Sequence, residues 1–374
     1  MVPSRSCSAI LLIALLLAMT ACSDSAPIII GYSGQLTGKI SDLGVQARNG
    51  VQLAVETINS EGGIDGRMLR IIAKDDGNNP ATALQVDKEL IAAGAVAVIG
   101  HATSSQTLAV LPYFNENNIA LISPTATTSL LTGRKDAFSR VTNDNSIQGR
   151  ELGEYARMAL NIKTIITVAE TDNGEYSLPL ARTFSDIFTE NGGQVLSQLT
   201  YSSRHSLDWE TVIQRVLVQK PQAILLICPA YDAVSLIQQI RSNRLNIQIL
   251  IGSWAYTSQL LYWGGQDVEG AFVAMDYADD NPNPSFVKFR EAYKNRFGNV
   301  PSYAAAFGYD AVIALTAGLE KTRGRAEGLV QAMAPSGPLN GVSGTFKLDE
   351  FGDVRRNIYI ITVLDGRFST ISVR

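Results

Sequence analysis

At 374 residues the chain exceeds one ordinary hydrophobic core, and a working size of roughly 150 residues per domain points to two or more. Hydrophobic residues make up 46% and charged residues 18%, with a formal net charge of −4, a balance that excludes a disordered chain and an electrostatic grip on nucleic acid. Two histidines and three cysteines offer no metal-ligand cluster and no disulfide framework, so neither a metal nor another cofactor is expected.

The chain opens on a short polar start with Arg5, a continuously apolar run over 9–18, and then Met19-Thr20-Ala21-Cys22. The run falls well short of the ~20 residues that span a bilayer as a helix, so 1–21 reads as a cleaved export signal. Ala21 before Cys22 resembles a bacterial lipobox, although Met19 stands where Leu is usual, and the resemblance implies a lipid on Cys22. Residues 22–27 would then be a lipidated tether on the periplasmic or cell-surface side. Cys7 leaves with the signal, and Cys228, at the end of an apolar run, is expected to be a buried, inert thiol.

Apolar strands and amphipathic helices alternate from there on. Strands are predicted at 28–32, 69–73, 95–99 and 120–122, and again at 164–169, 195–199, 223–227 and 247–251. Helices are predicted between them at 45–59, 81–93, 148–160, 178–191, 209–219 and 233–243, with Glu61-Gly62-Gly63 and Asn191-Gly192-Gly193 as helix stops. Near-continuous apolar runs fit strands buried on both faces, so the fold class is α/β with two doubly wound parallel-sheet lobes. Two more helices at 284–297 and 302–321 precede a β-rich ending over 342–373. That ending is explained if the chain recrosses between lobes near Asp276 and again over 346–353, which makes a three-strand hinge. The lobes would be 28–143 plus 277–349 and 144–276 plus 350–374. The tract 75–80 mimics the start of a calcium loop, but Val86 stands where the glutamate belongs, so it reads as a loop and helix cap.

Catalytic signatures are missing: there is no nucleophile elbow, Walker loop or dinucleotide fingerprint, and only His101 and His205 could serve as histidine bases. His101 reads as a loop-shaping residue and His205, among serines, as part of a solvated loop. Two hydroxyl-rich loops, 100–106 and 123–128, instead follow strands one βα unit apart, where loops face a common crevice. A hydroxyl at a helix start can cap the helix, and the free N–H groups beside it suit a ligand carboxylate.

Several motifs occur together and in order: Ile30-Gly31-Tyr32-Ser33-Gly34-Gln35-Leu36-Thr37-Gly38, Glu61-Gly62-Gly63-Ile64-Asp65-Gly66-Arg67, Asp75-Asp76, Val98-Ile99-Gly100-His101 with Ser104, Ile122-Ser123-Pro124 with Thr127, and Asp310-Ala311. Through them the chain resembles the leucine/isoleucine/valine-binding proteins of ABC importers, of the type I periplasmic-binding-protein fold. The resemblance implies that Ser104 and Thr127, with neighbouring Ser105 and Ala126, hold a ligand carboxylate, that the Thr125 carbonyl faces an ammonium, and that Tyr176 closes over the ligand. The chain departs from that pattern at Gly252-Ser253-Trp254-Ala255, where branched-chain binders carry an acid. Asp232 is the nearest substitute, because a buried unpaired ammonium is costly, and Trp254 enlarges an aromatic wall. Asn78 and Thr103 occupy the positions of the relatives' disulfide.

The expectation is a lipid-anchored, monomeric solute-binding protein that captures an amino acid or related small carboxylate by hinge closure and delivers it to an ABC permease, without catalysis. A ligand-sensing receptor of the same fold, or a binder of aromatic acids, keto acids or amides, is the alternative.

Overall fold

The computed structural model describes residues 26–38, 41–204 and 209–374, so Cys7, Cys22 and His205 lie outside the described residues. Five parallel strands make the first sheet: β1 (Ile28–Gly34), β2 (Leu69–Asp75), β3 (Ala95–Gly100), β4 (Ala120–Ser123) and β5 (Phe138–Arg140), in the order β2-β1-β3-β4-β5. Helices α1 (Asp42–Ser60), α2 (Pro80–Ala92) and α3 (Ser104–Asn117) make the crossovers. Because β1 pairs with both β2 and β3, the winding reverses there, and a crevice opens beyond the carboxyl ends of β1 and β3. The capping follows the sequence: Asn79 accepts from the N–H groups of Ala81 and Thr82 to start α2, and Gly62 and Gly63, both at positive φ, end α1.

The second sheet is built by β6 (Thr164–Glu170), β7 (Gln194–Tyr201), β8 (Ala223–Ile227), β9 (Gln248–Ile251), β10 (Phe272–Met275), β13 (Tyr359–Leu364) and β14 (Arg367–Val373). Its order is β14-β13-β10-β9-β8-β6-β7. Strands β6 to β10 run parallel, whereas β13 and β14 form an antiparallel edge, because a two-residue turn at 365–366 needs no crossover helix. All five residues of β8, Ala-Ile-Leu-Leu-Ile, are buried, as a central parallel strand requires. Around this sheet lie α4 (Asn145–Met158), α5 (Gly174–Glu190), α6 (Trp209–Gln219), α7 (Ala230–Ser242) and α8 (Ser258–Gly264).

After β10 the chain returns to the first sheet with α9 (Pro284–Phe297), α10 (Tyr303–Thr322), α11 (Leu329–Met333) and the hairpin β11 (Leu339–Gly341) and β12 (Gly344–Phe346). Helix α10 lies against α1 almost backbone to backbone. A Cβ at Gly50 would stand 1.9 Å from the Ala305 carbonyl oxygen, and one at Gly308 would stand 2.3 Å from that of Ala47.

Three segments connect the two sheets, after β5, after β10 and before β13, and buried polar groups lash them together. The Asp276 carboxylate accepts from the Thr142 hydroxyl at 2.9 Å and the Asn143 N–H at 2.7 Å. The Asn143 side chain pairs with the Arg356 backbone in both directions, at 2.9 and 2.8 Å, and Arg356 Nη2 reaches Asp310 Oδ2 at 2.7 Å. Each connecting segment thus contributes to one network.

Strand β5 departs from the reading of apolar runs. It carries Arg140, buried because Nη2 meets Asp353 at 2.7 Å and Thr132 Oγ1 at 2.7 Å while Nη1 meets the Thr128 carbonyl at 3.0 Å. A charge met by partners from distant segments is silent in a hydrophobic pattern. Helix α3, interrupted by Pro112, and the short α8 and α11 likewise lie beyond the predicted helices. Among the described residues no helix is long and apolar enough to cross a membrane.

Candidate functional site

The first lobe brings its two hydroxyl loops together through hydrogen bonds within and between them. Ser123 Oγ donates to the His101 carbonyl at 2.7 Å and accepts from the N–H groups of Thr125 and Ala126, at 3.3 and 2.9 Å. Thr125 Oγ1 donates to the Ala102 carbonyl at 2.7 Å, and Ser104 Oγ accepts from the Thr128 N–H at 3.2 Å. Ser104 begins α3, so it sits at the positive end of the helix dipole. Thr127 is buried, and its hydroxyl oxygen has no hydrogen-bond partner among the described residues.

His101 anchors these loops from behind. It is fully buried, with Nδ1 2.8 Å from Asp76 Oδ2 and Nε2 2.9 Å from Asp87 Oδ2. Burial alone would pull its pKa down; the charge of Asp87 and the bonds to both carboxylates outweigh that and hold it up at about 9. At neutral pH His101 is therefore an imidazolium clamped between two aspartates.

The second lobe supplies the opposite wall. Tyr176, in the first turn of α5, shares a hydrogen bond with Ser253 Oγ at 3.2 Å and accepts from the Trp254 N–H at 3.2 Å. Its ring meets Trp254 edge to face, with centroids 6.0 Å apart at 89°. Gly252 makes that approach possible, since a Cβ there would stand 2.8 Å from the Tyr176 hydroxyl oxygen. Burial pushes the Tyr176 phenol up to about 12, so it is a neutral hydrogen-bonding group.

Between the lobes these residues border a small, partly open space of about 20 Å³. Ser104, Thr125, Thr127, Tyr176 and Trp254 all line it. Leu43, Ala102, Thr142, Asn173, Ser253, Met275 and Tyr303 complete the wall, and no aspartate, glutamate, lysine or arginine is part of it. The lobes are drawn together across this space: Asn173 Oδ1 accepts from the Ser105 N–H at 3.2 Å, and Arg204 Nη2 reaches the Asn78 carbonyl at 3.2 Å.

Asp232, Ala126 and Ser105 are not among the residues that line this space. The Asp232 carboxylate, at the start of α7, accepts from the hydroxyls of Tyr201 at 2.9 Å and Ser203 at 2.6 Å, buried inside the second lobe and outside the cavity lining. Those donors stand at and just beyond the end of β7. Ala126 packs in the first lobe's core cluster with Phe114 and Leu131, and the Ser105 N–H is already taken by Asn173. Cys228 is buried, its thiol pushed up by burial and then by the charge of Asp232.

Asn173 was not legible as a site residue, because Asp172-Asn173-Gly174 carries the same signal as any turn before a helix. Its placement depends on Glu170, which accepts from the N–H groups of Asp172 and Asn173 at 2.8 and 3.0 Å. Burial holds that carboxyl up at about 7.

Comparison with known proteins agrees with this architecture. A family model described as periplasmic binding protein matches residues 27–367. A Leu/Ile/Val-binding protein homolog of Brucella melitensis is 25% identical over 336 residues, 88% of this chain and 89% of its own. The crystal structure of a leucine-binding protein from Thermotoga maritima superposes with a TM-score of 0.85 at 27% identity, covering 92% of this chain and 98% of its own. A solute-binding protein of an ABC transporter from R. palustris, in complex with benzoate, gives 0.84 at 21% identity, covering 93% and 96%.

Proposed function

The chain belongs to the periplasmic binding protein family and is a solute-binding protein of the ABC-transporter type, and we propose that its ligand is an α-amino acid or related small monocarboxylate. One observation carries this reading. The Thr127 hydroxyl is buried and unpartnered beside Ser104 and the start of α3, where a carboxylate oxygen would satisfy it and meet the helix dipole. Tyr176 and Trp254 would cover the rest of the ligand from the second lobe. Binding closes the hinge because only the closed form offers both walls at once, and that difference in affinity shifts the population. The hydroxyl, amide and aromatic groups of the lining suit capture and release of a ligand.

In this proposal 28–143 with 277–349 form one lobe and 144–276 with 350–374 the other, Cys22 carries a lipid anchor, and the monomer hands its ligand to a membrane permease. Incorporation of labelled fatty acid into the wild type and its loss in Cys22→Ser would support the anchor.

A second reading, an acid without an ammonium, is favoured by the uncharged lining and by the engagement of Asp232 within its own lobe. The R. palustris neighbour in complex with benzoate shows that this fold can hold such an acid. Thermal unfolding of the mature protein against leucine, isoleucine, the matching α-keto acids and benzoate separates the two. A ligand at ~100 times its dissociation constant stabilises by about 2.7 kcal/mol. Stabilisation by amino acids alone supports the first reading, and stabilisation by keto acids or benzoate alone supports the second. If none of the carboxylates acts, the carboxylate assignment fails.

A further inference from the structure

Beside the cleft lies a second interlobe groove of about 330 Å³, walled by Leu261 and Phe368 from the second lobe and by Val300 and Tyr303 from the first. Its size suits a small organic molecule. Aromatic rings make its floor: Tyr256 lies 4.2 Å from Phe368 between centroids and stacks on Tyr303 at 6.3 Å and 17°.

Two hydroxyls at the groove are unmet. Thr257 precedes α8 and Ser302 precedes α10, the positions where a hydroxyl normally caps the first turn, and neither makes a side-chain cap bond. Both residues are more than nine-tenths buried, both line the groove, and both hydroxyl oxygens lack a hydrogen-bond partner among the described residues. Buried polar groups in folded proteins are nearly always satisfied, so two unmet hydroxyls in one aromatic groove call for a partner.

The charges there balance. Two aspartates, Asp279 and Asp280, and two arginines, Arg290 and Arg367, line it; the Asp279 carboxyl is met by the hydroxyls of Tyr256 and Tyr277, Asp280 is held by the N–H and hydroxyl of Thr370, and Arg290 binds the Asp279 carbonyl at 3.2 Å. An uncharged ring that offers and accepts hydrogen bonds matches this lining better than an ion. We propose that the groove is a second ligand site that takes a small phenol, its ring on the aromatic floor and its hydroxyl shared between Thr257 and Ser302. Tyr303 lines both this groove and the cleft, so the two sites share a wall. Because the groove is built from both lobes, its occupant also biases hinge closure.

The test uses p-cresol as probe and the mature protein, with binding followed by calorimetry and by ligand-observed NMR. The expected result is one molecule bound per chain, affinity weakened at least tenfold by Leu261→Trp and separately by Val300→Trp, and unchanged by Thr127→Val in the cleft. Using two filling variants from opposite lobes, each checked for an unaltered unfolding midpoint, separates groove blockage from misfolding. Absence of binding up to the solubility of p-cresol, insensitivity to both tryptophans, or loss with Thr127→Val would overturn the proposal.

Discussion

Thr127 and His101 show how single residues set this site. Replacing Thr127 with Val keeps the shape and removes the unpartnered hydroxyl. A hydrogen bond to a charged group contributes about 1.5–3 kcal/mol, so carboxylate affinity should fall ~10- to 100-fold by calorimetry. The unfolding midpoint of the free protein should hold or rise, because a buried unmet group is gone. His101 predicts a pH effect of known sign. Its folded pKa of about 9 exceeds the ordinary value, so its stabilisation is complete below pH ~6.5 and is lost as pH rises through ~9. The loss should be on the order of 3 kcal/mol in urea unfolding between those limits. His101→Asn should remove that step and destabilise the protein at neutral pH, since two buried carboxylates would then face each other without a cation.

At the scale of elements, the contact of α1 with α10 is the tightest place in the first lobe. Both close approaches end on backbone oxygens, which cannot swing aside as a flexible side chain can. Gly50→Ala should therefore cost about 2–3 kcal/mol in chemical denaturation, well beyond the small gain Ala usually brings to a helix interior. An effect below about 0.5 kcal/mol would show that the helices slide apart at little cost.

For the molecule as a whole, the proposed closure would rest on few direct contacts between lobes, and Asn173 makes one of them. Its side chain accepts from the Ser105 N–H and so joins the start of α3 to the residue before α5. Asn173→Ala should weaken ligand binding about two- to tenfold, mainly through faster dissociation, as expected for loss of one neutral hydrogen bond. Stopped-flow release kinetics checks this, and an effect confined to association would point to a different role.

Local physics made much of the molecule readable from its residues. Apolar runs located the parallel strands, glycine and Asx signals located the helix ends, and the two hydroxyl loops after adjacent strands do border one crevice, within which the family resemblance singles out Ser104 and Thr127. Long-range pairing decided the rest. Arg140 hides β5 because its partners, Thr128, Thr132 and Asp353, are gathered only in the folded chain. The Asp232 carboxylate is claimed by the hydroxyls of Tyr201 and Ser203, a pairing that no spacing along the chain encodes. Asn173 likewise links the lobes only because the folded chain sets it beside α3. Periodicity and capping are properties of neighbours in sequence; which lobe meets which, and which donor claims a carboxylate, depends on partners brought together by tertiary folding.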